Sequence, residues 1–279
     1  MIQINNNKEL IVHIREWKKR GQSIAFVPTM GNLHEGHLSL LRLAHDQADK
    51  LVSSIYVNPM QFGPGEDLEN YPRTLEQDCK ALMEHQCDLA FLPGNQDLYP
   101  QGLEDMTQVR VPGISERLEG KFRPGHLTGV STIVLKLFNL VQPDLAVFGK
   151  KDYQQWRMIV KMAQDLNLPV DIIAGETVRE ADGLAMSSRN QYLDSEQRRM
   201  AGKIYQQLQW VSAQIRAGNE HYEELTSQAS RELSKAGFEL DYLSICERQD
   251  LHLPNPADPL VVLVAARLGD TRLIDNIEV

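Results

Sequence analysis

The sequence predicts an α/β fold: a helix-covered parallel sheet followed by a smaller α+β domain at the carboxyl end. Two observations carry this. Up to about residue 175, apolar runs of strand length alternate with helical patterns, the order that builds βαβ units. Beyond that point two long helices come first and three strand candidates follow, which marks a separate α+β unit. The boundary falls at 176, giving domains 1–176 and 177–279. A chain of 279 residues is long enough to bury a core in each.

The elements of the first domain read in order. Residues 23–28 form a buried strand ended by proline, and a helix from about Gly36 carries Leu38, Leu41, His45 and Ala48 on one face. Residues 51–57 are the next strand, and a loop rich in Pro and Gly covers 58–73. A helix with Leu75, Cys79, Leu82 and Met83 on its inner face leads to a strand at 88–92. The irregular stretch 93–125 is long for a compact domain, and loops of that length are functional or mobile. Next come a helix carrying Val130, Val134, Leu137 and Val141 and a strand at 144–148. A helix carrying Trp156, Ile159, Val160, Ala163 and Leu166 and a strand at 170–174 close the series. In the second domain, helices near 195–217 and 219–236 precede strands at 240–246, 260–267 and 271–278.

Composition excludes several classes. Lys and Arg total 29 against 38 Asp and Glu, a formal charge of −9. That balance argues against nucleic acid as a partner, since a phosphate backbone needs a basic face, but it allows a local basic pocket. No run approaches the roughly 18 apolar residues that span a bilayer. Residues 1–8 lack the basic start and apolar centre of a secretory signal, so the expected location is the cytoplasm, with no membrane partner. Cys79, Cys87 and Cys246 are odd in number and form no CxxC pair, so buried reduced thiols are expected.

Four places carry chemistry. The first is the turn PTMGNLHEGH at 28–37, between a strand and a helix. Ligands of open α/β sheets bind where strand ends meet helix starts, and a helix amino terminus offers unpaired N–H groups to phosphate. Gly36 lets the backbone approach a ligand. His34 and His37 share one face of the first turn and can donate hydrogen bonds to phosphate oxygens. The zinc motif HExxH needs one more residue between its histidines and a mid-helix position, so zinc does not fit. The second place is FGKKDYQQ at 148–155, after another strand. Its lysines can neutralise a polyphosphate, and Asp152 can bind a ribose hydroxyl or a magnesium-bound water. The third is AMSSRN at 185–190, with two hydroxyls and a guanidinium for phosphate oxygens. Asp194 already caps the next helix, which leaves Ser187 and Ser188 for another task. The fourth is VNPMQF at 57–62, where Asn58 and Gln61 suit hydroxyl and carboxylate recognition. The loop also holds Lys121, Arg123 and His126.

Taken together, PTMGNLHEGH (28–37), YVNPMQF (56–62), RPGHLTGV (123–130), FGKKDYQQ (148–155) and TVREADGLAMSSRNQYL (177–193) closely resemble the pantoate–β-alanine ligase family of the nucleotidyltransferase superfamily. The likeness covers nearly the whole chain. It implies a Rossmann-like sheet domain and a smaller α+β lid domain. It implies a reaction in which pantoate and ATP give pantoyl adenylate and pyrophosphate, after which β-alanine displaces AMP to give pantothenate. His37 would be the proton donor, with His34 and Lys151 completing the catalytic set. ATP would be lined by Met30, Gly31, Asn32, Leu33, His34, Glu35, Gly36 and His37, by Gly149, Lys150, Lys151 and Asp152, and by Val178, Met186, Ser187, Ser188 and Arg189. Gln61 and Gln155 would bind pantoate, Gln61 would also meet β-alanine, and Asn58 and His126 are further substrate-binding candidates. The resemblance also implies Mg²⁺ with ATP, of unspecified ligands, and a homodimer. Two alternatives stay open on the residues alone. One is a relative that leaves a nucleotide attached to a phosphate. The other is a nucleotide sensor or RNA-binding protein of the same fold.

Overall fold

A computed structural model of the chain describes residues 1–255 and 257–279. These separate into two compact units, Met1–Lys150 with Gln155–Glu176, and Lys151–Gln154 with Thr177–Val279. Lys151–Gln154, which a boundary at 176 assigns to the first domain, therefore groups with the second. The reason is local. Asn276 Nδ2 donates to the Lys151 carbonyl at 3.0 Å, and the Tyr153 hydroxyl donates to Glu278 Oε1 at 2.9 Å.

The first unit opens with two elements that the sequence pattern did not reveal. β1 (Ile2–Ile4) has three residues, too few to show a period, and α1 (Asn7–Lys19) buries only Leu10, Ile14 and Trp17 of an otherwise polar run. Then follow β2 (Ile24–Thr29), α2 (Glu35–His45), β3 (Lys50–Ile55), α3 (Leu75–Glu84) and β4 (Leu89–Phe91). The short α4 (Asn95–Leu98) and α5 (Glu119–Phe122) punctuate the stretch 93–125. α6 (His126–Val141), β5 (Leu145–Gly149), α7 (Tyr153–Asp165) and β6 (Asp171–Gly175) complete the series.

All six strands are parallel, in the order β1-β4-β3-β2-β5-β6. From β2 the chain moves outward through β3 and β4, then returns to place β5 on the other side of β2. The carboxyl ends of β2 and β5 thus flank the topological switch, where open sheets of this kind hold ligands. Ala25, Phe26 and Val27 of β2 are fully buried, as a central strand covered on both faces requires.

Helix faces follow expectation in part, and α3 departs most, where a polar side chain takes an inner position. α2 ends at His45 and buries Leu40, Leu41 and Ala44; Leu38 and Ala48 pack partly buried against the same core, while His45 is exposed. α3 buries Asp78, Cys79 and Leu82, while Leu75 and Met83 are 49% and 58% exposed. Here a carboxylate occupies the core face and turns the apolar stripe aside. α6 buries Val130, Val134, Leu137 and Val141 as expected. α7 buries Ile159 and Ala163 with Met158 and Met162 beside them, and Leu166 lies past its end, exposed. The three cysteines are free and buried, and burial pushes the Cys87 thiol up to about 12. No helix among the described residues is long and apolar enough to cross a membrane.

In the second unit, α8 (Ser195–Ala201), α9 (Lys203–Arg216) and α10 (Tyr222–Lys235) precede the antiparallel sheet β7-β8-β9. Its strands are β7 (Phe238–Glu247), β8 (Leu260–Leu268) and β9 (Thr271–Glu278). The single helix expected near 195–217 is two, divided at Gly202. A Cβ there would stand 2.9 Å from the Asp182 carbonyl oxygen. Asp194 caps α8 in a capping box with Gln197. Leu208, Val211, Leu225, Ala229 and Leu233 from α9 and α10 pack against Val262, Val264 and Ala266 of β8.

Candidate active site

In the first unit, the turn after β2 is held by one carboxylate. Gly31 and Asn32 have φ of +83° and +49°, a left-handed pair that reverses the chain. The reversal points the N–H groups of Asn32 and Leu33 at Asp78, whose two oxygens accept them at 2.9 and 2.8 Å. The Thr74 hydroxyl donates to the same carboxylate at 3.1 Å. Gly31 is required on two counts: its positive φ, and a Cβ that would lie 3.0 Å from both Asp78 Oδ2 and Ile55 Cγ2.

The turn delivers His34 as the N-cap of α2. His34 Nδ1 accepts from the Gly36 N–H at 3.1 Å, and His37 Nδ1 accepts from the His34 N–H at 3.3 Å. Two imidazoles thus build a reciprocal capping box. An Nδ1 that accepts carries no proton, so in the neutral ring the proton sits on Nε2. The rings sit 4.1 Å apart, centroid to centroid. This corrects one expectation. The Gly36 N–H is taken by His34 and the His37 N–H by the His34 carbonyl at 2.8 Å, so the start of α2 does not offer them unpaired. The Glu35 carboxylate pairs with Arg42.

Gln61 is the centre of a second cluster in the same unit. Asn58 caps the short 3-10 turn Pro59–Gln61 and is 1% exposed. Its Oδ1 accepts from the Tyr99 hydroxyl at 2.6 Å and from the Met60 N–H at 3.3 Å. Its Nδ2 donates to Gln61 Oε1 and to the Gly129 carbonyl, each at 3.1 Å. Gln61 Nε2 reaches Met30 Sδ at 3.0 Å. His126 Nδ1 lies 2.7 Å from the Gln61 carbonyl, and its Nε2 lies 3.0 Å from Arg123 Nη1. Burial pushes the His126 imidazole down to about 4, and the Arg123 charge works the same way, so the ring is neutral. Burial alone would raise the Glu66 carboxyl, but its hydrogen bonds and ion pair with Arg123 outweigh this and hold it below the usual range. Asn58 and His126, expected to bind substrate, direct polar atoms at Gln61 and its supports.

Beyond β5, Lys150 pairs with Glu176 at 2.6 Å, and Gln155 is half-buried in the first turn of α7. In the second unit, Lys151 and Asp152 stand 3.8 Å apart. Val178 and Met186 face each other through a backbone hydrogen bond of 3.0 Å, beside the isolated bridge Arg179–Ala185. Ser187 accepts from the Arg189 N–H at 3.3 Å and caps the 3-10 turn Ser188–Tyr192, so it is not without a local task as expected. Arg179 anchors this hairpin. It binds both Asp275 oxygens at 2.6 and 2.9 Å, donates to the Gly183 and Asn276 carbonyls, and lies 3.6 Å over the Tyr205 ring. β9 therefore secures both segments of this unit: the hairpin through Asp275, and Lys151 through Asn276.

The sequence profile described as Pantoate-beta-alanine ligase matches residues 3–278. The chain belongs to the pantoate–β-alanine ligase family. A pantothenate synthetase from Aeromonas hydrophila is 52% identical over 277 residues, 99% of this chain and 97% of its own. The crystal structure of the Thermus thermophilus pantothenate synthetase superposes with a TM-score of 0.93 at 40% identity, covering 100% of this chain and 99% of that one. A pantoate-β-alanine ligase from Francisella tularensis, complexed with β-γ ATP and β-alanine, gives 0.82 at 35% identity, over 100% and 97% of the two chains. The chain is thus an enzyme of a ligase family that forms pantothenate.

Within a pantoate–β-alanine ligase, the residues that sequence reasoning missed are those that hold others in place. Asp78 is a carboxylate on the core face of α3. Asp275 sits where the alternation of β9 calls for an apolar side chain. Arg179 lies inside a recognised segment but turns to Asp275. A charged residue at an inward position was the available signal in each case. Among the described residues no group of three or more His, Cys, Asp or Glu side chains is arranged to hold a metal ion.

Proposed function

We propose that this chain joins pantoate to β-alanine through pantoyl adenylate. A pantoate carboxylate oxygen attacks the α-phosphorus of ATP, and the bond to the β-phosphate breaks to release pyrophosphate. The amine of β-alanine then attacks the acyl carbon, AMP leaves with the bridging oxygen, and the amine loses a proton. The supporting observation is the imidazole capping box at the sheet switch. With Nδ1 accepting, Nε2 is the protonated nitrogen of each neutral ring, which suits His34 and His37 to donate to charge that builds on departing pyrophosphate. His37 is the proposed proton donor. Residues Met30 to His37, with Gly149 and Lys150 from the first unit, are proposed to line ATP. Lys151, Asp152, Val178, Met186, Ser187, Ser188 and Arg189 are further proposed nucleotide contacts. Gln61 and Gln155 are the proposed pantoate ligands, and Gln61 also serves β-alanine. The ligands seen in the Francisella tularensis relative support ATP and β-alanine as substrates. Mg²⁺ would accompany the ATP phosphates. The family resemblance supports a homodimer in the cytoplasm.

The test is AMP formation with ATP, pantoate and β-alanine, omitting each in turn. AMP release should require all three, while ATP and pantoate alone should yield pyrophosphate once per site. A nucleotide retained in the product would instead identify a nucleotide-transferring relative, and ATP binding without turnover a sensor. His37→Ala should lower kcat/KM for adenylation by about 10² or more. Near-normal pyrophosphate release from that variant would remove His37 from its role.

A further inference from the structure

Tyr99 follows α4 within the long stretch 93–125, is 4% exposed, and has no part in the chemistry described so far. Its hydroxyl donates to Asn58 Oδ1 at 2.6 Å. The same oxygen takes the Met60 N–H at 3.3 Å. A backbone N–H can only donate, so that end of the Asn58 amide is the oxygen. The opposite end is then the NH₂, whose two protons go to Gln61 Oε1 and the Gly129 carbonyl. A carboxamide has two acceptor positions and two donor positions, and all four are filled. Flipping Asn58 would set NH₂ against the Met60 N–H and its oxygen against two other oxygens.

The constraint passes to Gln61. Its Oε1 is occupied by Asn58, so the end that remains directed at Met30 Sδ is the donating Nε2. Gly129 lets α6 come close enough to take part, since a Cβ there would stand 2.4 Å from the Met60 carbonyl oxygen. The Tyr99 ring is itself held, with Lys136 Nζ 5.3 Å from its centroid and the Tyr56 ring at 6.2 Å. We infer that Tyr99 is a positioning residue which, through Asn58, fixes the Gln61 side chain as a hydrogen-bond donor, so that the site selects oxygen acceptors, carboxylate or hydroxyl, on the acid substrate. Burial raises the Tyr99 phenol, which keeps its proton on the oxygen and the chain of donors running in one direction. The inference rests on the reading of Gln61 as a pantoate ligand.

Tyr99→Phe removes one oxygen and leaves the ring. KM for pantoate should rise about 5- to 10-fold, the worth of one neutral hydrogen bond, with KM for ATP and the melting temperature little changed. Gln61→Ala should raise the pantoate KM further. The double variant Tyr99→Phe/Gln61→Ala should match Gln61→Ala alone, because the effect of Tyr99 travels through Gln61. Additive effects in the double variant, or an unchanged pantoate KM in Tyr99→Phe beside a raised one in Gln61→Ala, overturn the inference while sparing the pantoate reading. An unchanged pantoate KM in Gln61→Ala overturns that reading itself. In the ligand-free protein, the side-chain amide ¹⁵N–¹H resonances of Gln61 should move in Tyr99→Phe. Resonances that stay in place would show that Gln61 does not feel the hydroxyl.

Discussion

The turn after β2 and the hairpin at 178–189 are both polar segments that end in a side-chain cap, His34 on one and Ser187 on the other. They are held in different ways. The β2 turn inherits its direction from a central strand and a left-handed Gly31–Asn32 pair, and needs only an acceptor for two neutral N–H groups. Asp78 supplies that acceptor from 46 residues away. The hairpin has one isolated bridge of its own, three residues and more beyond the end of β6. It is fixed by a buried ion pair between Arg179 and Asp275, 96 residues apart. The difference teaches that a segment with little backbone pairing needs a stronger and more distant clasp. Such a clasp carries its own risk, because a buried charge that loses its partner is costly.

The largest effect should come from the ionic clasp. Asp275→Ala leaves the largely buried Arg179 guanidinium without its bidentate partner and should cost about 3–5 kcal/mol in unfolding free energy, measured by urea titration. A loss below about 1 kcal/mol would mean that the stacking on Tyr205 and the carbonyl bonds hold Arg179 by themselves. The neutral-donor clasp ranks second. Asp78→Asn keeps one acceptor and sets an NH₂ against a backbone N–H, and should cost about 1–3 kcal/mol. A reversed order, with Asp78→Asn the more damaging, would undo the comparison.

Much of this layout was legible in the sequence, for physical reasons that differ by element. β2, β5 and β8 are central strands whose side chains are mostly buried, so their apolar runs stood out. α6 was legible because ten of its sixteen residues are buried. β1 and α1 were not, because a three-residue strand has no period and a helix with one apolar stripe beside seven charged or amide side chains looks like a solvated segment. The histidine turn was visible as residue types at a strand–helix junction. What the sequence could not convey is which atom each side chain turns to what partner. Asn58 and His126 have the chemistry of substrate ligands, and only coordinates show that neighbours already occupy their polar atoms. Asp78 and Asp275 were hidden by the opposite problem: a lone acid in an apolar pattern reads as a surface residue until the backbone N–H groups or the guanidinium that meet it are seen.

A third clasp sharpens the comparison, because it works only uncharged. His126 lies against the Gln61 carbonyl and Arg123, so a second proton on the ring would face the guanidinium. Its imidazole is held down at about 4 in the folded chain, against about 6.5 when unfolded. Above pH 6.5 neither state binds that proton, and the full stability is present. Between about 6.5 and 4 the unfolded chain takes up a proton that the native protein refuses, so stability falls as the pH is lowered, by at most about 1.4 kcal/mol per pH unit from this group. Below about 4 both states are protonated and the contribution ends. Urea titrations at pH 7, 6 and 5 should show this slope in the native sequence and a reduced one in His126→Gln. In the folded protein the His126 ring protons should hold their NMR shifts between pH 7 and 5. A ring that titrates near 6.5 would show an exposed imidazole, and the Gln61 turn would then be held by Arg123 and Gly129 without a neutral partner.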